Sequence, residues 1–441
     1  LAGLCLFIAL FTLLAHRFTI KPLAILIAVA SGAATYFISK YGVAVDSSMI
    51  LNVVHTDPTE VRQLMSWHMW PHVAFLMVVP VFAILAADIT FRPAGRYLLA
   101  SAALFLGALA IAVSSLYLNY NAVIRAGNVS NKYIVYTLVP VNVISASLNA
   151  AWKSARPWFA SDKPPEIRGR LASTDDLVVV LAIGESSRSR NFGLYGYTRQ
   201  DTTPLLDQVA GLHVLPGVAR RGSTLNALPE ILEKSGIKLP AIAAKLGVQT
   251  ACYVNYTLYD NCDPVGEVKA SACGHGGSCY DEDVIPLLED NLREYASGKR
   301  LVVLHLGGGS HGPIYSDRYP PEFQKFQPMC KDADVANQCT LEQLYNAYDN
   351  TILYVDHVVA GILGTLDRSG APYVFIYLSD HGESLMDDGR MFHGMPPGMD
   401  LPPEQAQVPL LVKSSVPISI VSRPEYTQPA VFDTVLDLLS I

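Results

Sequence analysis

The chain has 441 residues, with 32 Lys+Arg against 39 Asp+Glu, a formal net charge of −7, and 51% hydrophobic residues. That length leaves room for two or three domains, and the negative balance argues against a nucleic-acid partner. Mean hydropathy is +0.28, high for a soluble protein, and the excess lies in the first third.

Four apolar runs cover residues 1–15, 22–38, 73–87 and 97–117. A helix that crosses a bilayer needs about 20 apolar residues, so these read as spans, the first of them short. A buried soluble helical bundle is the competing reading. A signal peptide does not fit, because further spans follow. The chain starts at Leu rather than Met, and a truncated N-terminus is expected. His16, Arg17 and Lys21 lie between the first two runs, and Arg92 and Arg96 between the last two. Basic loops stay in the cytoplasm, which puts 40–71 and everything after the fourth span outside. Trp67, Trp70, Tyr117 and Tyr120 fall near span ends, as an interfacial belt would. Residues 119–160 are aromatic and apolar but interrupted by Pro140, which suits a helix lying along the bilayer. The charged, Pro-containing stretch 161–176 reads as a linker. The expected division is a helical transmembrane domain at 1–118, a bridge at 119–176 and an external domain at 177–441.

In that external domain, strand patterns at 177–183, 250–254, 301–306, 373–378 and 409–412 alternate with helical patterns at 240–246, 341–366 and 430–439. The alternation predicts an α/β domain with a largely parallel sheet. Ligands of open α/β sheets bind beyond the carboxyl ends of the strands. Glu185 stands at the tip of the first strand, and Asp380 and His381 at the tip of the fourth. One such carboxylate is equally well a helix-start residue; two tips that offer Glu, Asp and His suggest a metal site. Gly222-Ser-Thr-Leu-Asn-Ala-Leu-Pro reads as a helix start that Ser223 or Thr224 would cap. Helix N-termini also bind phosphate, so a hydroxyl there can act as a nucleophile that receives a phosphoryl group. His311 follows a run of glycines after the third strand, in a loop without the GK[ST] of a Walker motif. His393 lies twelve residues after His381. Each histidine alone is more simply structural, but the combined oxygen and nitrogen donors suit zinc.

Of seven cysteines, Cys5 lies in a span and reads as inert packing. The other six follow the last span. They allow fifteen connectivities, and short loops favour Cys252–Cys262, Cys273–Cys279 and Cys330–Cys339. Disulfides imply an oxidising compartment. Zinc binding by these cysteines is the rival, but no CxxC spacing occurs.

Taken together, GESSRSRNFGLYGYTRQDTTP, GSTLNALP, SHGPIYSDRYP, YNAYDNTILYVD, SDHGESL and FHGMP, with HRFTIKPLAIL and YGVAVDSSMILNVVHTD in the membrane part, resemble the phosphoethanolamine transferases of the Gram-negative envelope. These include the lipid A and mobile colistin-resistance enzymes, within the alkaline-phosphatase and sulfatase superfamily. The resemblance implies an alkaline-phosphatase-like α/β/α sandwich in the periplasm behind an inner-membrane anchor of five spans, one of them missing here, in a monomeric protein. It assigns Glu185, Asp380 and His381 as zinc ligands, Thr224 as ligand and nucleophile, and His311 and His393 as groups that hold the incoming phosphoethanolamine or a second zinc. Asn255 falls in its substrate pocket. The implied reaction moves phosphoethanolamine from phosphatidylethanolamine to Thr224, and then to lipid A or another lipopolysaccharide site. Masking phosphate charge in this way would give resistance to cationic peptides such as polymyxin. There are departures. The cystine that often brackets the nucleophile is replaced by Arg221 and Glu230, Ser186 stands for the usual Thr, and a pocket lysine has no counterpart near 255–259. The rivals are a membrane-anchored transferase acting on another envelope glycan with phosphoethanolamine or phosphoglycerol, a sulfatase, and an inactive envelope scaffold. The sulfatase lacks its CxPxR context here, and a scaffold would be expected to have lost part of the metal set.

Overall fold

A computed structural model of the chain describes residues 1–55, 61, 65, 67, 69–91, 93–121, 124, 133–159, 167, 169–255, 267–270, 280–307, 310, 312–396 and 398–441. It divides into two compact units, one of Leu1–Val54 with Met65–Ala160 and one of His55–Leu64 with Ser161–Ile441.

The first unit is helical, with α1 (Ala2–Leu14), α2 (Ile20–Tyr41), α3 (Met69–Ala86), α4 (Ala94–Leu118) and α5 (Val141–Phe159). Helices α2, α3 and α4 are long and apolar enough to cross a membrane, and α1 is apolar but shorter. Small residues set the packing, because they let helix backbones approach. Cys5 and Ala9 of α1 meet Ala108 and Ala112 of α4. Gly32 of α2 lies so close to α3 that a Cβ there would sit 2.8 Å from the Leu76 carbonyl oxygen. Helix α5 buries Val143, Ala146 and Ala150 and exposes Leu148 and Trp152.

The second unit is built on eight strands: β1 (Leu177–Gly184), β2 (His213–Val218), β3 (Gln249–Val254), β4 (Glu267–Ala270), β5 (Lys299–His305), β6 (Tyr373–Ser379), β7 (Gln407–Ser414) and β8 (Tyr426–Thr427). Their order is β8-β2-β7-β6-β1-β5-β3-β4. Strand β1 runs parallel to both neighbours, β5 and β6, and only β7 is antiparallel to the strands beside it. Every residue of β1 is buried, as expected of a central parallel strand covered on both faces. Leu177, Val179, Leu181 and Ile183 pack on one face with Leu228, Ile231 and Leu232 of α6 (Thr224–Leu232) and Val431, Phe432 and Val435 of α9 (Pro429–Leu438). Helices α7 (Val284–Arg293) and α8 (Leu341–Ser369) pack against one another and against strands β3 and β6. The parallel register Gly184↔Ser379 brings the ends of β1 and β6 level, so the residues that follow them emerge side by side.

Candidate active site

At the end of β1 a glycine is required, because a Cβ on Gly184 would lie 2.4 Å from the Tyr377 hydroxyl. The chain then turns through Ser186, whose φ of +56° is left-handed. This turn sends the Ser186 N–H to Asp380 Oδ1 at 3.0 Å and its hydroxyl to Glu185 Oε1 at 2.7 Å. At the neighbouring tip the Asp380 N–H donates to the Gly184 carbonyl at 3.0 Å, and the His381 N–H to Asp380 Oδ1 at 2.8 Å. His381 Nδ1 lies 3.0 Å from the Gly382 carbonyl. A carbonyl can only accept, so Nδ1 carries a proton, and in the neutral ring Nε2 presents its lone pair. That Nε2 stands 3.4 Å from Glu185 Oε1 and 3.2 Å from Asp380 Oδ2.

Thr224 opens α6, directly after Ser223 at the N-cap position. Neither side chain caps the helix: Ser223 Oγ accepts from the side-chain Nδ2 of Asn226 at 2.8 Å, and the Thr224 hydroxyl donates to Glu185 Oε2 at 2.9 Å, 3.4 Å from His381 Nε2. The capping expectation is thus corrected, because a buried carboxylate takes the threonine proton that a cap would leave unused. Arg221 and Glu230 form an ion pair at 2.8 Å across this segment. Both are partly exposed, so the pair is worth little.

Glu185, Thr224, Asp380 and His381 are all buried. Ligand atoms of Glu185, Asp380 and His381 lie within 4.8 Å of one another, and a second such triplet joins His381 to Glu383 and His393. His393 Nδ1 is 2.8 Å from Glu383 Oε2, and its ring centroid is 4.2 Å from that of His381. Asn255 stands at the tip of β3, where its amide nitrogen donates to Asp281 Oδ1 at 2.9 Å; the same oxygen accepts from the Gly307 N–H at 2.6 Å. His311 lies outside the described residues, as do Cys262, Cys273 and Cys279. Cys252 is disulfide-bonded, and Cys330 and Cys339 form a disulfide with 5.5 Å between Cα atoms.

Two carboxylates in one dry site repel. Burial, then Glu185, push the Asp380 carboxyl up to about 7. Burial opposes the charged form of His381, but Asp380 and Glu185 outweigh it and raise the imidazole above its ordinary value. Asp380 Oδ2 is buried without a hydrogen bond. An orphaned carboxylate oxygen facing a second carboxylate and an imidazole lone pair fits a divalent cation, and this N/O donor set fits zinc.

Several residues of the site escaped the sequence reading. Glu383 falls two residues past His381 and orients His393. Arg188, fully buried, donates to Asp387 at 2.7 Å, to the Glu383 carbonyl at 3.2 Å and to Asn191 at 2.6 Å. A charged residue three positions after Glu185 inside GESSR was the available signal, since a guanidinium there must be exposed or multiply bonded.

The sheet and its strand-tip donors define a sulfatase-type α/β unit, and the sulfatase family model matches residues 178–441. The N-terminal model of the phosphoethanolamine transferases EptA/EptB matches residues 4–154. The chain belongs to the phosphoethanolamine transferase family. It is 34% identical over 433 residues to phosphoethanolamine transferase EptA of Escherichia coli strain K12, covering 89% of this chain and 75% of that one. To EptA of Helicobacter pylori it is 32% identical, covering 94% and 80%. The solved integral membrane lipooligosaccharide phosphoethanolamine transferase A of Neisseria meningitidis superposes with a TM-score of 0.86 at 26% identity, covering 98% of this chain and 86% of that one.

Proposed function

We propose that this protein transfers phosphoethanolamine from phosphatidylethanolamine to lipid A of the Gram-negative envelope, from an inner-membrane anchor with the catalytic unit in the periplasm, as a zinc-dependent enzyme. The observation that carries the reading is the Thr224 hydroxyl at 2.9 Å from Glu185 Oε2, on the first turn of a helix and beside Asp380 and His381, in a chain of this family. Glu185, Asp380, His381 and Thr224 would hold the ion. Bound there, zinc supplies a Lewis acid that favours the ionised threonine oxygen and draws charge from the phosphoryl oxygens.

The chain's own residues do the rest. Glu185 orients the Thr224 hydroxyl by accepting its proton in a hydrogen bond. The N-terminus of α6 offers backbone N–H groups to the phosphoryl oxygens. Thr224 Oγ1 passes its proton to Glu185 and forms a bond to phosphorus as the bond to the diacylglycerol oxygen breaks, and that oxygen takes the Nε2 proton of the His393 imidazolium. Glu383, at 2.8 Å from His393 Nδ1, fixes the tautomer in which Nε2 exchanges protons with the leaving and entering oxygens. An oxygen of the lipid A phosphate then attacks the phosphothreonine and gives its proton to His393; the bond from phosphorus to Thr224 Oγ1 breaks, and the proton held by Glu185 restores the hydroxyl. His311 and Asn255 belong to the substrate side of this reading.

Mass spectrometry of lipid A from cells with and without the protein tests the reaction. The wild-type chain adds a phosphoethanolamine-bearing species. Thr224→Ala removes it while the chain still folds, and full modification by that variant would refute the nucleophile.

A further inference from the structure

The segment that carries Thr224 leaves β2 at Val218 and reaches α6 over 219–223, while the donors it must meet sit on β6. Gln428, 1% exposed between β8 and α9, joins the two. Its side-chain Nε2 donates to the Ser379 carbonyl at 3.0 Å and also to the Asp380 carbonyl. Its Oε1 accepts from the Arg220 N–H at 3.3 Å, and its own N–H donates to the Val218 carbonyl at 3.3 Å. Two carbonyls on one side and an N–H on the other decide which end of the carboxamide is nitrogen. One side chain therefore binds the backbone of the carboxylate tip to the backbone that enters the nucleophile's helix, four residues before Thr224. Residues 405–406 join the same two places: the Ala219 N–H donates to the Ala406 carbonyl at 2.7 Å, and the Gly382 N–H, just past the carboxylate tip, to the Gln405 carbonyl at 2.9 Å.

We propose that Gln428 is a positioning residue for phosphoryl transfer. It sets the separation between the Thr224 oxygen and Asp380–His381 while touching neither substrate nor reacting atoms. The proposal rests on Thr224 being the nucleophile. In-line attack is sensitive to small displacements, and a shift of about 1 Å is worth roughly 100-fold in rate. A buried carboxamide with every polar atom engaged also resists replacement by an apolar side chain of similar volume.

The test uses the full chain in detergent and measures diacylglycerol release from a short-chain fluorescent phosphatidylethanolamine. Gln428→Met should lower kcat by about 10- to 100-fold with KM changed less than about twofold. Val435→Ala, in the apolar core of the adjacent α9, is the control: it lowers the melting temperature but keeps kcat. If Gln428→Met does not fold, Gln428→Asn keeps the amide, shortens its reach by one carbon and should show the same split more weakly. Loss of kcat no greater than that of a Val435→Ala control of matched stability overturns the proposal. Thr224→Ala, run in parallel, separates the two assignments. Activity in that variant overturns the nucleophile and the clamp with it; a dead Thr224→Ala beside fully active Gln428 variants overturns the clamp alone.

Discussion

Asp356 of α8 is fully buried and accepts hydrogen bonds from the Leu205 and Leu206 amides at 3.0 and 2.8 Å. Burial raises its carboxyl to about 6 against the lowering effect of those two amides, with Asp201 and Asp207 adding repulsion. The native state therefore binds this proton more tightly than the unfolded chain, where the group titrates near 3.8. Stability tied to it is complete below about 4 and is lost as pH rises through about 6, on the order of 3 kcal/mol at full titration. Asp356→Asn removes the titration. The melting temperature of the variant should gain on that of the wild type between pH 4 and pH 7, and a difference that stays flat over this range would exclude the assignment. Nothing in the sequence singles out Asp356 from Asp349, the other acid of YNAYDNTILYVD. What a side chain faces across a helix interface is set by tertiary packing, and the same holds for Glu383 and Gln428. Glu185, Asp380 and His381 were legible for the opposite reason: a polar residue directly after a buried parallel strand has only the sheet edge to occupy.

At the scale of the element, β1 and β6 declared themselves because both faces of each are covered, which leaves unbroken apolar runs. Strand β2 (HVLPGV) escaped notice because Pro216 and Gly217 break the strand pattern, and its pairing with β7, Pro409 opposite Pro216, is visible only in three dimensions. Strands β4 and β8 have four and two residues, too short for periodicity to register. The tip of β6 depends on a close approach that the sequence leaves unannounced. A Cβ on Gly382 would lie 2.1 Å from the Glu404 carbonyl oxygen and 3.1 Å from Arg188 Cβ. The oxygen is backbone and the arginine is buried, so neither yields easily. Gly382→Ala should therefore push the tip away from the 402–406 turn, at about 1–3 kcal/mol of stability. Because Asp380 and His381 ride on that tip, the variant should lose zinc affinity beyond what its stability loss explains. Titration calorimetry beside thermal melting checks this, and unchanged zinc affinity would mean that the turn, not the tip, absorbs the strain.

Across the whole molecule, the helical unit can present the chain to a bilayer while the α/β unit carries a site whose charge is unbalanced by its own residues. Two buried carboxylates meet one imidazole and one hydroxyl; burial first, then the charge of Glu185, pushes the Asp380 carboxyl up to about 7. A cation that replaces that proton should stabilise the fold by mass action, about 2.7 kcal/mol at a free concentration 100 times its dissociation constant. The sign of the pH dependence follows. Without metal, the native state holds the Asp380 proton more tightly than the unfolded chain does, so the contribution of this group falls as pH rises from about 4 to about 7. With metal, the proton must leave first, so binding strengthens over the same interval. Chelation of the purified full chain should lower its melting temperature, and added zinc should restore it with a larger gain at pH 8 than at pH 6. Equal gains at the two pH values would show that Asp380 does not compete with a proton for the ion.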